Sequence, residues 1–219
     1  MNAIYSVARN AVLTLGLVLG LAAHAQQGAD KININGQFVL AAKASKVERV
    51  AQLLQQGAAV NSRDRLGNSP LNMASSKGND ALFDVLLGAG ADPNLGNISG
   101  VTPLMGACFV GNADIVSKLL KAGASLDPVD RVKKNAATYA AANGCLKCVE
   151  LLLNAGVSVN APLDNNLTLL MWAAAYGKDD IVRYLLSHGA EKSLKDNRGL
   201  TALEMAQEAK QNVAVSLLE

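Results

Sequence analysis

The sequence predicts an all-α fold, a solenoid of stacked helix–turn–helix units with short turn fingers. Three observations carry this. Half of the 219 residues are apolar but only 4% are aromatic, and the apolar half is dominated by helix-favouring Ala and Leu rather than strand-favouring residues. A Gly-Ala pair recurs at a fixed step of 33 residues: Gly57-Ala58, Gly90-Ala91, Gly123-Ala124, Gly156-Val157 and Gly189-Ala190. Each interval also holds two helix-length segments separated by a glycine. A repeat of this length is one supersecondary unit that cannot bury its apolar face alone, so neighbours must stack.

The first element is an address. Arg9 precedes an uncharged apolar run from Ala11 to Ala23, and Ala23-His24-Ala25 gives a small-x-small cleavage pattern. Residues 1–25 are therefore expected to be a secretory signal peptide. The run is short for a bilayer span, which takes about 20 residues, so no membrane span is expected in the mature chain. Export is expected, to a periplasm first and by secretion otherwise, into a compartment where disulfides persist. Residues 26–33 form a lead-in.

The repeats then run 34–66, 67–99, 100–132, 133–165, 166–198 and a partial 199–219. Ser69, Thr102, Thr168 and Thr201 are expected N-caps, because a hydroxyl can accept from an orphan amide of the first turn. Pro70 and Pro103 follow at a position where no donor is missed. Gly78, Gly111, Gly144 and Gly177 should end the first helix in the left-handed conformation. Second helices carry apolar clusters such as Val85-Leu86-Leu87 and Leu151-Leu152-Leu153. Turns follow at Asp64-Arg65-Leu66-Gly67, Asn97-Ile98-Ser99-Gly100 and Asp196-Asn197-Arg198-Gly199. The turn glycine is replaced by Lys133 in the fourth copy and Asn166 in the fifth, so both of those tips are expected to have an altered turn.

The period, the Thr102-Pro103-Leu104 element, Asn112-Ala113-Asp114-Ile115-Val116 and Gly90-Ala91-Asp92-Pro93-Asn94 resemble the ankyrin repeat. The resemblance covers about Ile34 to the C-terminus. It implies a preformed concave face, made of finger tips and first helices, that docks a protein partner. The positions expected there are Arg63, Arg65, Leu66, Ile98, Val101, Phe109, Arg131, Val132, Lys134, Leu167, Tyr176 and Arg198. Exposed apolar side chains bordered by Arg and Lys suit a protein interface. Trp172 and Tyr139, by contrast, align with Met73 and Met205 and are expected in the core between repeats. Candidate partners are a toxin or hydrolase, blocked as an inhibitor or immunity protein would block it, or a catalase-like enzyme in oxidative defence. The sequence does not choose between them.

Other functions find little support. A formal charge of +2 is weak for a nucleic-acid binder. Loss of the signal peptide removes His24 and leaves His188 as the only imidazole, which disfavours a His-based metal centre or triad. No catalytic residue, metal or cofactor is expected. The alternative is a thiol–disulfide oxidoreductase built on Cys145-Leu146-Lys147-Cys148, since Cys-x-x-Cys at a helix start can activate a thiol. A structural thiol pair or a local disulfide between Cys145 and Cys148 is the preferred reading of that pair. Cys108 is expected to be buried packing.

Overall fold

Each unit begins at an oxygen-bearing side chain that closes the first turn of a helix. In the computed structural model, which describes residues 34–219, Ser69, Thr102, Thr168 and Thr201 each accept the backbone N–H three residues on, at 3.1–3.3 Å. Asn135 does the same for Thr138 at 2.9 Å. The expected signal peptide (1–25) and lead-in (26–33) lie outside the described residues.

The helices are α1 (34–43), α2 (Val47–Gln55), α3 (Pro70–Lys77), α4 (Asp80–Gly88), α5 (Pro103–Val110), α6 (Ala113–Lys121), α7 (Ala136–Asn143), α8 (Leu146–Asn154), α9 (Leu169–Ala175), α10 (Asp179–Ser187), α11 (Ala202–Glu208) and α12 (Asn212–Leu218). There is no strand among the described residues. From α3 to α11 the first helices start at 33-residue steps. Pro70 and Pro103 sit in the first turn, and Gly78, Gly111 and Gly144 cap the C-termini in the left-handed region. Gly177 has the same conformation one residue beyond the cap of α9, which is Tyr176.

Two layers result. The inner layer stacks α3, α5, α7, α9 and α11 in order, and the even-numbered helices line up behind it. Small side chains allow the inner helices to approach closely: Ala74, Ala107, Ala140, Ala173 and Ala206 are fully buried. The outer helices supply bulk, with Leu53, Leu86, Leu119 and Leu185 also fully enclosed. Burying each such leucine contributes on the order of 1.5–3 kcal/mol. α1 adds Phe38 and Ala42 to the same core.

The fingers are held by the Asp or Asn side chain that opens the turn. Asp64 accepts the N–H groups of Leu66 and Asn68 at 2.9 and 2.8 Å. Asp130 does so for Val132 and Lys134, both at 2.9 Å. Asp196 repeats this with Arg198 and Leu200, and Asn97 with Ser99 and Val101. Burial pushes the Asp64 carboxyl up, but the hydrogen bonds from Asn68 and Leu66 outweigh it and leave it below its ordinary value.

One of the two altered turns expected from the sequence is not altered. Lys133 adopts a φ of 60°, close to the left-handed values of Gly67 and Gly100, because the Asp130 carboxylate holds the same turn around it. The fifth finger does change. Leu163 stands where Asp130 stands one repeat earlier and has no acceptor to offer. Asn165 and Asn166 both take positive φ, and Asp164–Asn166 forms a short 3-10 turn.

Candidate protein-docking face

Aromatic side chains of three consecutive repeats meet on the inner helices. Phe109 of α5 packs edge-on against Tyr139 of α7, with ring centroids 5.9 Å apart and planes at 85°. Trp172 of α9 and Tyr176, its C-cap, stack at 5.7 Å. Lys134, at the base of the fourth finger, joins the two pairs: its Nζ lies 4.8 Å from the Trp172 ring centroid and 5.8 Å from that of Tyr139. An ammonium within about 6 Å of an aromatic face is attracted by the ring quadrupole. Phe109 and Tyr176 are more than half exposed, at 56% and 51%. The cluster is therefore continuous and open to solvent.

Asp130 locks the cluster to the finger. One of its oxygens holds the turn amides, and the other accepts the Tyr139 hydroxyl proton. Burial of the phenol, then its hydrogen bond to Asp130 and the carboxylate charge, push the Tyr139 pKa up to about 12. The phenol is thus a fixed donor at neutral pH, so the ring that Phe109 and Lys134 contact is held in place before anything binds.

Of the other expected face residues, Leu66, Ile98 and Val132 are exposed at the finger tips, as are Arg63, Arg65 and Arg131. Val101 and Leu167 are half-buried and pack on the core, since they lead directly into the capped first turns. Arg198 is exposed but turned onto Asp196 at 2.9 Å. Tyr139 and Trp172, expected in the core, are only half-buried and form the centre of the exposed cluster. Their aromatic character was the available signal.

A second feature lies at the joint between the fourth and fifth fingers. Elsewhere backbone bonds tie finger to finger: Ile98 N–H to Leu66 C=O at 3.1 Å, Arg131 to Ser99 at 2.9 Å, and Asn197 to Asn165 at 3.0 Å. Among the described residues no such bond joins Asp164 to Val132. A Cβ on Gly67 would lie 2.9 Å from Ile98 N, and one on Gly100 would lie 3.0 Å from Val129 O. Lys133 carries a Cβ at the equivalent place, but so does Asn166, whose finger still bonds to the next; the open joint coincides instead with the altered turn at Asp164–Asn166. A cleft of about 360 Å³ opens there, lined by Asp127, Val129, Lys133, Ser158, Leu163 and Asp164.

The cysteine pair is bonded, Cys145 to Cys148 with sulfurs 2.05 Å apart. Cys145 Sγ also accepts the Cys148 N–H at 3.1 Å, taking the N-cap role that Asn79 and Asn112 fill on α4 and α6. Cys108 is buried, and desolvation raises its pKa to about 12. His188 caps the C-terminus of α10, with Nδ1 2.8 Å from the Tyr184 carbonyl. No group of three or more His, Cys, Asp or Glu side chains is placed to hold a metal among the described residues. No described helix is long and apolar enough to cross a membrane.

Stacked helix pairs with linked fingers and an open aromatic face define a repeat-built binding scaffold. The chain belongs to the ankyrin repeat family: the family model for ankyrin repeats (3 copies) matches residues 78–162 and 156–219. A putative ankyrin repeat protein of Escherichia coli strain K12, YahD, is 30% identical over 182 residues, covering 80% of this chain and 90% of that protein. The crystal structure of EF0377, an ankyrin repeat protein, superposes with a TM-score of 0.76 at 31% identity, covering 84% of this chain and 96% of that one. A 57-residue stretch is 53% identical to the mitochondrial disaggregase of Bos taurus, and 65 residues are 43% identical to that of Homo sapiens. Those matches cover only 8% and 9% of the disaggregases' own lengths. Ankyrin repeats are in general protein–protein interaction modules, and proteins built from them are typically non-enzymatic.

Proposed function

We propose that this chain is an exported, non-enzymatic docking module whose finger face covers the surface of one protein partner. The observation that carries the reading is the continuous cluster of Phe109, Tyr139, Lys134, Trp172 and Tyr176, held by Asp130. Large aromatic side chains on a rigid frame lose little entropy on binding and dominate interface energetics. Export rests on the leader at residues 1–25, with the periplasm as its destination. The partner classes that suit a covering module there are a toxin or hydrolase, held as an immunity protein would hold it, and a catalase-like enzyme.

The test is a pull-down from a periplasmic extract. The native chain should recover a stoichiometric partner, and Phe109→Asp combined with Tyr176→Asp should lose it while its circular dichroism is unchanged. A folded double variant that keeps the partner would refute the face assignment. Mature protein starting at Gln26 in the periplasmic fraction is the expected outcome for export, and an intact Met1 terminus in the cytoplasm would refute it.

The thiol–disulfide alternative makes a different prediction. We read Cys145–Cys148 as a clip on the first turn of α8, because the sulfur of Cys145 is already engaged as a helix cap. A disulfide-reductase activity abolished by Cys145→Ser would favour the enzyme instead.

A further inference from the structure

Building on the docking reading, we infer that the occupant of the finger face is an acidic protein segment carrying an apolar or aromatic anchor. From the second to the fourth finger the free charge on this face is mainly cationic. Arg63, Arg65, Arg131 and Lys133 are exposed, and neither they nor Lys134 takes part in any of the salt bridges among the described residues. The carboxylates that hold the turns beside Arg63, Arg65 and Arg131 are already committed, while exposed Asp127 and Asp164 line the cleft next to Lys133. Asp64 accepts two turn amides and the Asn68 side chain. Asp130 accepts two turn amides and the Tyr139 hydroxyl. The outer helices are different: there Lys118 pairs with Asp84 at 2.6 Å and Lys147 with Glu150 at 2.8 Å. Unpaired cations therefore coincide with the exposed apolar side chains Leu66, Ile98, Val132, Phe109 and Tyr176.

An occupant that satisfies both sets needs carboxylates at its rim and an apolar side chain between them, since complementary charge sets partner choice and encounter rate. The same cations could attract phosphates. A nucleic acid or anionic membrane, however, would leave Leu66, Ile98 and Val132 facing a charged backbone or headgroup layer, and the chain's net charge of only +2 gives little of the long-range pull such ligands need. A protein segment is the occupant that uses the apolar and the cationic groups together.

Trp172, the only tryptophan in the sequence, supplies the readout. A random peptide display library is selected against the purified chain, and enriched peptides are titrated while Trp172 emission is followed. The expected peptides carry Asp or Glu flanking Phe, Trp or Leu and shift the emission. Their affinity should fall about tenfold for Arg131→Glu combined with Lys133→Glu, and fall again as salt rises from about 0.05 to about 0.5 M. Enriched peptides that are neutral or basic would overturn the acidic occupant while leaving docking intact, as would acidic binders indifferent to the charge reversal. Tighter binding of a single-stranded oligonucleotide or of phosphatidylserine vesicles than of any selected peptide would also overturn it. If no peptide of any charge perturbs Trp172, the docking reading falls and this inference with it.

Discussion

Asn94 Oδ1 accepts the Ser125 N–H at 2.7 Å, and its Nδ2 donates to the Gly123 carbonyl at 3.1 Å. One side chain thus staples two repeats together through an acceptor and a donor. Asn160 does the same with Glu191 and Gly189, both at 3.0 Å. Between them stands Asp127, which has no donor to offer Gly156 and makes no bond to Ser158 among those described. Asp127→Asn should restore the staple. A hydrogen bond contributes about 1 kcal/mol net, which for a domain of this size raises Tm by about 2–4 °C. An unchanged or lowered thermal midpoint would count against the staple.

The neighbouring finger joint should be open on the hydrogen-exchange timescale. The Arg131 amide donates to Ser99 and should be protected, whereas the Asp164 amide has no described rung and should exchange rapidly. Leu163→Asp supplies the missing acceptor, and Asn166→Gly restores the turn glycine of the second and third fingers. Together they should slow exchange at Asp164 at least severalfold. Equal protection at Arg131 and Asp164 in the native chain would rule out an open joint.

Tyr139 makes stability depend on alkaline pH. An unfolded tyrosine titrates near pH 10, while burial, followed by the Asp130 hydrogen bond and charge, raises the folded value to about 12. The folded state therefore holds its proton more tightly. The stability this contributes is fully present below about pH 10 and is lost as pH rises toward 12. Phenolate absorbance should show a tyrosine step well above pH 10, and Tyr139→Phe should remove both that late step and part of the alkaline destabilisation.

Cys145 and Cys148 should be replaceable by what the neighbouring repeats use. Asn112 and Ile115 occupy the same places on α6, with the asparagine capping the isoleucine N–H at 3.0 Å. Cys145→Asn with Cys148→Ile should melt within a few degrees of the native chain and be indifferent to dithiothreitol. The native chain should lose up to about 2 kcal/mol on reduction, as chain entropy for so short a loop suggests. Cys145→Ala, which loses cap and bond together, should be the least stable of the three.

Gly106 should not tolerate a side chain. It lies on the inner helix α5, and an added Cβ would come within 3.2 Å of Ser76 Cα. Gly106→Ala should cost about 1–3 kcal/mol by overpacking, measured by chemical denaturation, despite alanine's better helix propensity.

Much of the fold was legible along the chain because it is set by local chemistry. A hydroxyl just before a helix can accept the amide three residues on, so Ser69, Thr102, Thr168 and Thr201 could be assigned from their place ahead of each repeat's first helix. The face was partly legible: Phe109, Lys134 and Tyr176 were found because the repeat phase puts them on finger tips and the open side of the first helices. Tyr139 and Trp172 were assigned to the core because alignment with Met73 and Met205 compares a residue with its equivalents in other repeats. It does not compare that residue with the neighbours it meets across a repeat boundary.

The amino-acid order alone therefore determined the period, the caps, the two helices per unit and hence the family, since each depends on contacts within a few residues. Tertiary stacking decided the rest. It brought Lys134 over Trp172, tied Tyr139 to Asp130, and opened the fourth joint where Asp127 and Leu163 lack the groups found at the equivalent places of neighbouring repeats. Those outcomes depend on distances of 3–6 Å between residues of different repeats, and such distances exist only once the units are packed.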